Sequence, residues 1–219
     1  MADALCAAVV SKLQSALSAR RKASLIVSGG RTPLPLFERL TTADIAWSAV
    51  YIALADERWV HTDDPGSNER FVRAHLLRGR AAAANFIGMK NESSTAALGA
   101  ARAWSDYAPI PRPFDCVLLG MGDDGHTASL FPSNSNLAAA LDGRAVAGCT
   151  AMRAPVVPHE RLSLNLAALT DARDIIVSSS GDSKWQVFQS AKGAGSALNM
   201  PIRAILRQQK APVGFYWSP

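Results

Sequence analysis

Cysteine is scarce. Three residues, Cys6, Cys116 and Cys149, form an odd set without a CxxC spacing, which argues against a disulfide framework or a structural zinc site and leaves them as buried thiols. Long apolar runs are also missing. Stretches such as Leu25–Val27 and Cys116–Leu119 fall far short of the roughly 20 residues a bilayer-crossing helix needs, so no membrane partner is expected. The N-terminal segment opens with Asp3 and has no basic stretch ahead of Leu5–Val10, unlike a secretory leader, so the cytoplasm is the expected compartment. Internal repeats, low-complexity tracts and Pro/Gly/Ser-rich linkers are absent, which favours one domain over residues 1–219. Basic residues are scattered, with no aromatic–basic stripe, and nucleic acid is therefore not expected as a partner.

What the chain does have is apolar material. With 48% hydrophobic and 19% charged residues it can bury a core and is not a disordered polymer. Its 23 Lys and Arg outnumber 18 Asp and Glu, a formal charge of +5 that permits an anionic partner without choosing one.

Short apolar runs ending in Gly, Asp or Ser alternate with longer stretches of helical spacing. Helices are expected at residues 4–19, 34–40, 69–77, 94–107, 166–171, 182–191 and 202–208. Strands are expected at residues 24–27, 50–55, 85–89, 114–119, 161–164, 174–178 and 213–217. Thr32 is expected to cap the second helix, with Pro33 in its first turn, and Ser67 or Asn68 the third. This alternation predicts an α/β fold: a doubly wound, mainly parallel sheet with helices on both faces and a ligand at the carboxyl ends of its strands. Three polar, glycine-rich segments follow expected strands, at residues 28–32, 56–68 and 120–126, and would converge on one rim. Trp47, Trp59, Trp104, Trp185 and Trp217 are read as core or rim packing.

Each rim segment suggests chemistry. Ser28-Gly29-Gly30-Arg31-Thr32-Pro33 joins a strand to a helix start, where free N–H groups favour an anion. It matches neither GxGxxG nor GxxxxGK[ST], which points to a phosphate monoester rather than a nucleotide. Taken alone, it also reads as a tight turn. Arg58, in Asp56-Glu57-Arg58, is placed to grip a phosphate or to form a local ion pair; His61 reads as a solvated loop residue. In Gly120-Met121-Gly122-Asp123-Asp124-Gly125-His126 three glycines and two aspartates surround a histidine, whose ordinary pKa near 6.5 suits a general base.

Together these segments resemble the 6-phosphogluconolactonase family, within the wider group of sugar-phosphate isomerases and deaminases. The motifs are SGGRTP at 28–33, ADERWV at 55–60, SNER at 67–70, FDCVLLGMGDDGHTASLFP at 114–132 and PHERLSLNLAAL at 158–169. The resemblance implies a Rossmann-like fold and hydrolysis of 6-phospho-D-glucono-1,5-lactone to 6-phosphogluconate in the oxidative pentose phosphate pathway, with no metal or organic cofactor. It implies that His126 activates water, that Gly29, Gly30, Arg31, Thr32 and Arg58 hold phosphate, and that Lys184 joins them. Asp56, Asn68 and Arg161 are further substrate-site candidates. Asp124 is a candidate to orient the imidazole, with loop capping by Asp123 or Asp124 as the alternative, and N–H groups between Gly122 and Gly125 are candidates for the oxyanion site. The implied partner is a small phosphorylated lactone, and a monomer or weak homodimer is expected.

Two departures are visible. Leu130-Phe131-Pro132 stands where the related deaminases carry an acidic residue beyond their histidine, which disfavours a deaminase. Asn165 replaces a threonine common in the family. The competing functions are an amino-sugar-phosphate isomerase or deaminase, which would release ammonia, and a sugar-phosphate-sensing module, which would need no histidine base and usually appends a helix-turn-helix that this pattern leaves no room for.

Overall fold

The computed structural model describes residues 1–219. Helix α1 (Ala2–Arg20) turns Leu5, Val9, Leu13 and Ala16 to the core, a helical stripe that covers the sheet, and ends where Arg21 adopts a left-handed conformation. Strand β1 (Ala23–Val27) is buried at all five positions, as a central parallel strand covered on both faces must be. Helix α2 (Leu34–Leu40) and strand β2 (Val50–Leu54) follow. Next come β3 (Asp56–Arg58), α3 (Asn68–His75), β4 (Asn85–Ile87), α4 (Ala96–Asp106) and β5 (Cys116–Leu119). The second half contains α5 (Leu137–Ala140), β6 (Cys149–Arg153), β7 (Glu160–Leu164), α6 (Leu166–Leu169), β8 (Ile175–Ser180), α7 (Asp182–Lys192), α8 (Ile202–Arg207) and β9 (Val213–Ser218). No helix is long and apolar enough to cross a membrane.

Six strands form a parallel sheet in the order β4-β2-β1-β5-β8-β9. From β1 the chain winds outward through β2 to β4, and from β5 it winds the other way through β8 to β9. The winding direction therefore reverses between β1 and β5, and the loops after these two strands diverge to open a crevice, the general ligand position in open α/β sheets. The glycine loop follows β1 and the histidine loop follows β5.

Several expectations need correction. Residues 56–66 are not wholly a polar loop: Asp56–Arg58 form β3, which pairs antiparallel with β7, and β7 with β6, in a separate three-stranded sheet. A three-residue polar strand whose partner lies about a hundred residues away has no local periodicity to betray it. The same sheet takes the strand expected at residues 161–164 out of the parallel array and adds Cys149–Arg153, which was not anticipated. Thr32 does not cap α2. Pro33 occupies the cap position and no side chain bonds there.

At α3, Ser67 is the cap, its Oγ accepting from Arg70 N at 3.2 Å. Asn165 caps α6, accepting from Ala168 N at 2.9 Å, so this departure from the family pattern serves local structure. Cys116 is buried and its thiol pushed up to about 12 by that burial, whereas Cys6 and Cys149 are half-buried; all three are free. Trp47 and Trp59 are buried, while Trp185 is 38% exposed on the rim.

Candidate active site

The loop after β5 folds back on itself. Gly122 N donates to His126 O at 2.8 Å and Gly125 N to Gly122 O at 3.0 Å. Both N–H groups are thus spent inside the loop, and the expected oxyanion role of Gly122 and Gly125 is corrected on that ground. Their absent side chains have other reasons. A Cβ on Gly122 would lie 2.0 Å from His126 Nδ1 and 2.6 Å from an Asp124 carboxylate oxygen, and one on Gly125, at φ +73, would meet Met200 at 2.2 Å. The bare backbone at Gly122 is the floor on which the imidazole–carboxylate pair rests.

That pair is tight. Asp124 Oδ1 lies 2.6 Å from His126 Nδ1 and also accepts from His126 N at 3.0 Å. Burial raises the Asp124 carboxyl, but the side-chain and backbone bonds from His126 outweigh it and leave the acid below its ordinary range. Asp123 points elsewhere, accepting from Ser183 Oγ at 2.9 Å and pairing with Lys184 Nζ at 3.0 Å; these bonds, the lysine's first, hold its carboxyl low. The adjacent acids therefore divide the work: Asp124 orients the ring and Asp123 ties the histidine loop to the first turn of α7. Phe131 covers the imidazole, ring centroids 4.4 Å apart.

His126 opens on a cavity of about 360 Å³, within the usual range for a small-molecule site. One wall is the glycine loop, contributing Gly29, Gly30 and Thr32. The N–H groups of Gly29, Gly30, Arg31 and Thr32 donate to no carbonyl of the chain, and Gly30 has φ +98, so this turn leaves donors available for an anion. Ser28 Oγ, on the same wall, is buried without a partner. Lys184 closes that end. Asp56, Arg58 and Arg161 also line the cavity, as does Asn68, whose side chain lies against Gly29.

Arg58 Nη1 donates to Gly66 O while its Nε is buried and unpartnered. Arg161, 5% exposed, donates from Nε to Pro158 O at 2.8 Å. Burial first, and then the charge of Arg58, bring the Arg161 guanidinium down to about 10. Asp56 accepts from Ser129 Oγ at 2.6 Å.

Most of the candidates thus converge. Arg31 does not: it is exposed and outside the lining, because the left-handed turn at Gly30 sends its side chain to solvent. Gly125 is also outside the lining. His61 lies exposed against Asp63. The sequence reading missed Phe131 and Ser178, which line the cavity, and Glu57, buried behind it; the polar run Ser178-Ser179-Ser180 ending an apolar strand was the available signal for the second. No group of three or more His, Cys, Asp or Glu side chains gathers as a metal site would require.

A sequence profile of the glucosamine-6-phosphate isomerases/6-phosphogluconolactonase family matches residues 1–214. A 6-phosphogluconolactonase of Pseudomonas aeruginosa is 42% identical over 218 residues, covering 100% of this chain and 90% of that protein. One from Rhizobium meliloti is 39% identical over 219 residues, covering 100% and 94%. The crystal structure of a 6-phosphogluconolactonase from Shewanella baltica superimposes with a TM-score of 0.95 at 47% identity, over 100% of this chain and 93% of that one.

Proposed function

The chain belongs to the family of glucosamine-6-phosphate isomerases and 6-phosphogluconolactonases, and from this premise we propose that it hydrolyses 6-phospho-D-glucono-1,5-lactone to 6-phosphogluconate in the pentose phosphate pathway. The observation that carries this reading is that His126, paired with Asp124, opens into the same cavity as the glycine turn, the half-buried Arg58 and the buried Arg161. An acid–base group and an anion cradle thus share one hollow.

Asp124 accepts a hydrogen bond from Nδ1–H, which leaves the Nε2 lone pair of His126 to take a proton from water as that water attacks C1. The C1 to ring-oxygen bond then breaks, and the imidazolium returns its proton to the departing oxygen. Such a base contributes roughly 10²–10⁴-fold. The phosphate is held by the free N–H groups of the glycine turn together with Lys184 and Arg58, so binding far from C1 becomes orientation at C1. Where a deaminase relay needs an acid beyond the histidine, this chain packs Phe131 at a tilt against the imidazole, which favours the lactonase.

The test is a coupled assay on freshly generated lactone with spontaneous hydrolysis subtracted. Turnover above background is expected. A folded protein that leaves the background rate unchanged removes the reading, and ammonia release from glucosamine 6-phosphate would replace it with a deaminase.

A further inference from the structure

Glu57 neither lines the cavity nor bears on the lactone chemistry, yet it is a fully buried acid (0% exposed) in the middle of the short polar strand β3. Both of its carboxylate oxygens are doubly engaged. Oε1 accepts from Arg58 N at 2.7 Å and Asn68 N at 2.6 Å, and Oε2 accepts from Ser67 Oγ at 3.0 Å and Glu69 N at 2.7 Å. One side chain thereby satisfies two of the orphan N–H groups that open α3, those of Asn68 and Glu69, and fixes the backbone of β3 beside them. The connection continues into the site. Asn68 donates from Nδ2 to Asp56 O at 2.8 Å, and its side chain lies so close to Gly29 that a Cβ there would stand 2.0 Å from Asn68 Oδ1. Glu57 therefore touches β3 and α3 directly, and through Asn68 it reaches the glycine turn.

We propose that Glu57 is a positioning residue that sets Arg58 and Asn68, and through Asn68 the glycine turn, in register for the phosphate end of the substrate. His126 hangs from β5 on a different loop, which meets β3 where Ser129 Oγ donates to Asp56; none of the four bonds to the Glu57 carboxylate goes to either residue, so loss of Glu57 misplaces the anion cradle and spares the base. The proposal rests on the lactonase reading for its kinetic signature and on anion binding for an independent one.

The decisive variant is Glu57→Gln, which keeps size but turns an amide N–H₂ toward two of the four donors. A KM raised about tenfold or more with kcat within about threefold is expected, since small displacements of a binding group act at that scale. Binding of inorganic phosphate, titrated calorimetrically, weakens by a similar factor. In an Arg58→Ala background the same substitution has a smaller effect on KM, because one of the groups it positions is gone and only the Asn68 arm remains. A merely structural role predicts equal effects in both backgrounds and a loss of kcat and KM alike; either result overturns the proposal, as does a Glu57→Gln protein that binds phosphate normally. If Glu57→Gln does not fold, Ser67→Ala removes one bond to the carboxylate together with the cap bond from Arg70 N, and Ser67→Asn, which keeps a capping side chain, separates the two; a KM raised about threefold at constant kcat is expected for both, and an unchanged KM in both counts against the role. Wild-type protein that binds phosphate without lactonase activity would overturn the functional reading and still leave the phosphate titration to decide the role of Glu57.

Discussion

Arg58 and Arg161 stand directly opposite each other on the antiparallel strands β3 and β7. Like charges across a strand pair repel, and here the bonds they make go to carbonyls, Gly66 O and Pro158 O, rather than to each other's compensation. Burial first, and then this neighbouring charge, depress the Arg161 guanidinium. Two cations held together in a half-enclosed cavity are a site waiting for a dianion.

Removing one of them should therefore affect binding first. Arg58→Ala is expected to raise KM about 10- to 100-fold with kcat changed only a few-fold, the scale of a charge-assisted contact of roughly 1.5–3 kcal/mol. Inorganic phosphate should raise the Tm of the wild type and do so much less for this variant. Steady-state kinetics and a melting series with phosphate check both statements.

His126→Ala should show the converse, a kcat lowered roughly 10²–10⁴-fold at near-constant KM. Asp124→Asn should reproduce part of this loss, about 10- to 100-fold, less than the roughly 10⁴-fold known for a buried orienting carboxylate, because Asp124 is 43% exposed. Near-normal turnover by the His126 variant removes the base from the mechanism.

Gly122→Ala tests the floor beneath the pair. Its Cβ would fall 2.0 Å from His126 Nδ1, so the ring must leave Asp124. A kcat loss at least equal to that of Asp124→Asn is expected, with destabilisation of about 1–3 kcal/mol from overpacking, measured by urea unfolding.

Glu57 should leave a pH signature in stability. Burial, opposed by the bonds from Asn68, Glu69, Arg58 and Ser67, pushes its carboxyl from 4.5 up to about 7. The folded chain then holds the proton more tightly than the unfolded one, so this group's contribution is fully present below about pH 4.5 and is lost as pH rises through about 7. The loss is on the order of 3 kcal/mol. Glu57→Gln lacks this slope, and the stability advantage of wild type over the variant should shrink between pH 5 and pH 8 in urea titrations. An advantage that grows with pH would show the sign to be wrong.

The parallel sheet was legible because its strands are continuous apolar runs and its main helices carry a 3.6-residue stripe, as at Leu5, Val9 and Leu13; such patterns depend only on near neighbours. That His126, Arg58 and the glycine turn gather at one cavity was legible for a similar reason, since each sits in a short segment whose composition is unusual for a simple turn. The three-stranded sheet was not, because β3 takes its identity from a partner distant in sequence. Nor was the division between Asp123 and Asp124, whose neighbours along the chain are nearly the same.

The amino-acid order by itself determined the α/β class, the rim on which the loops gather and the residue types available for catalysis, because local periodicity and side-chain chemistry are properties of short segments. Only the tertiary structure decided that Arg58 meets Arg161, that Arg31 faces solvent, that Gly122 and Gly125 have no N–H to spare, and that Glu57 ties β3 to the start of α3. Each of those depends on where a distant strand or a backbone turn places a group in space, and no local pattern encodes that.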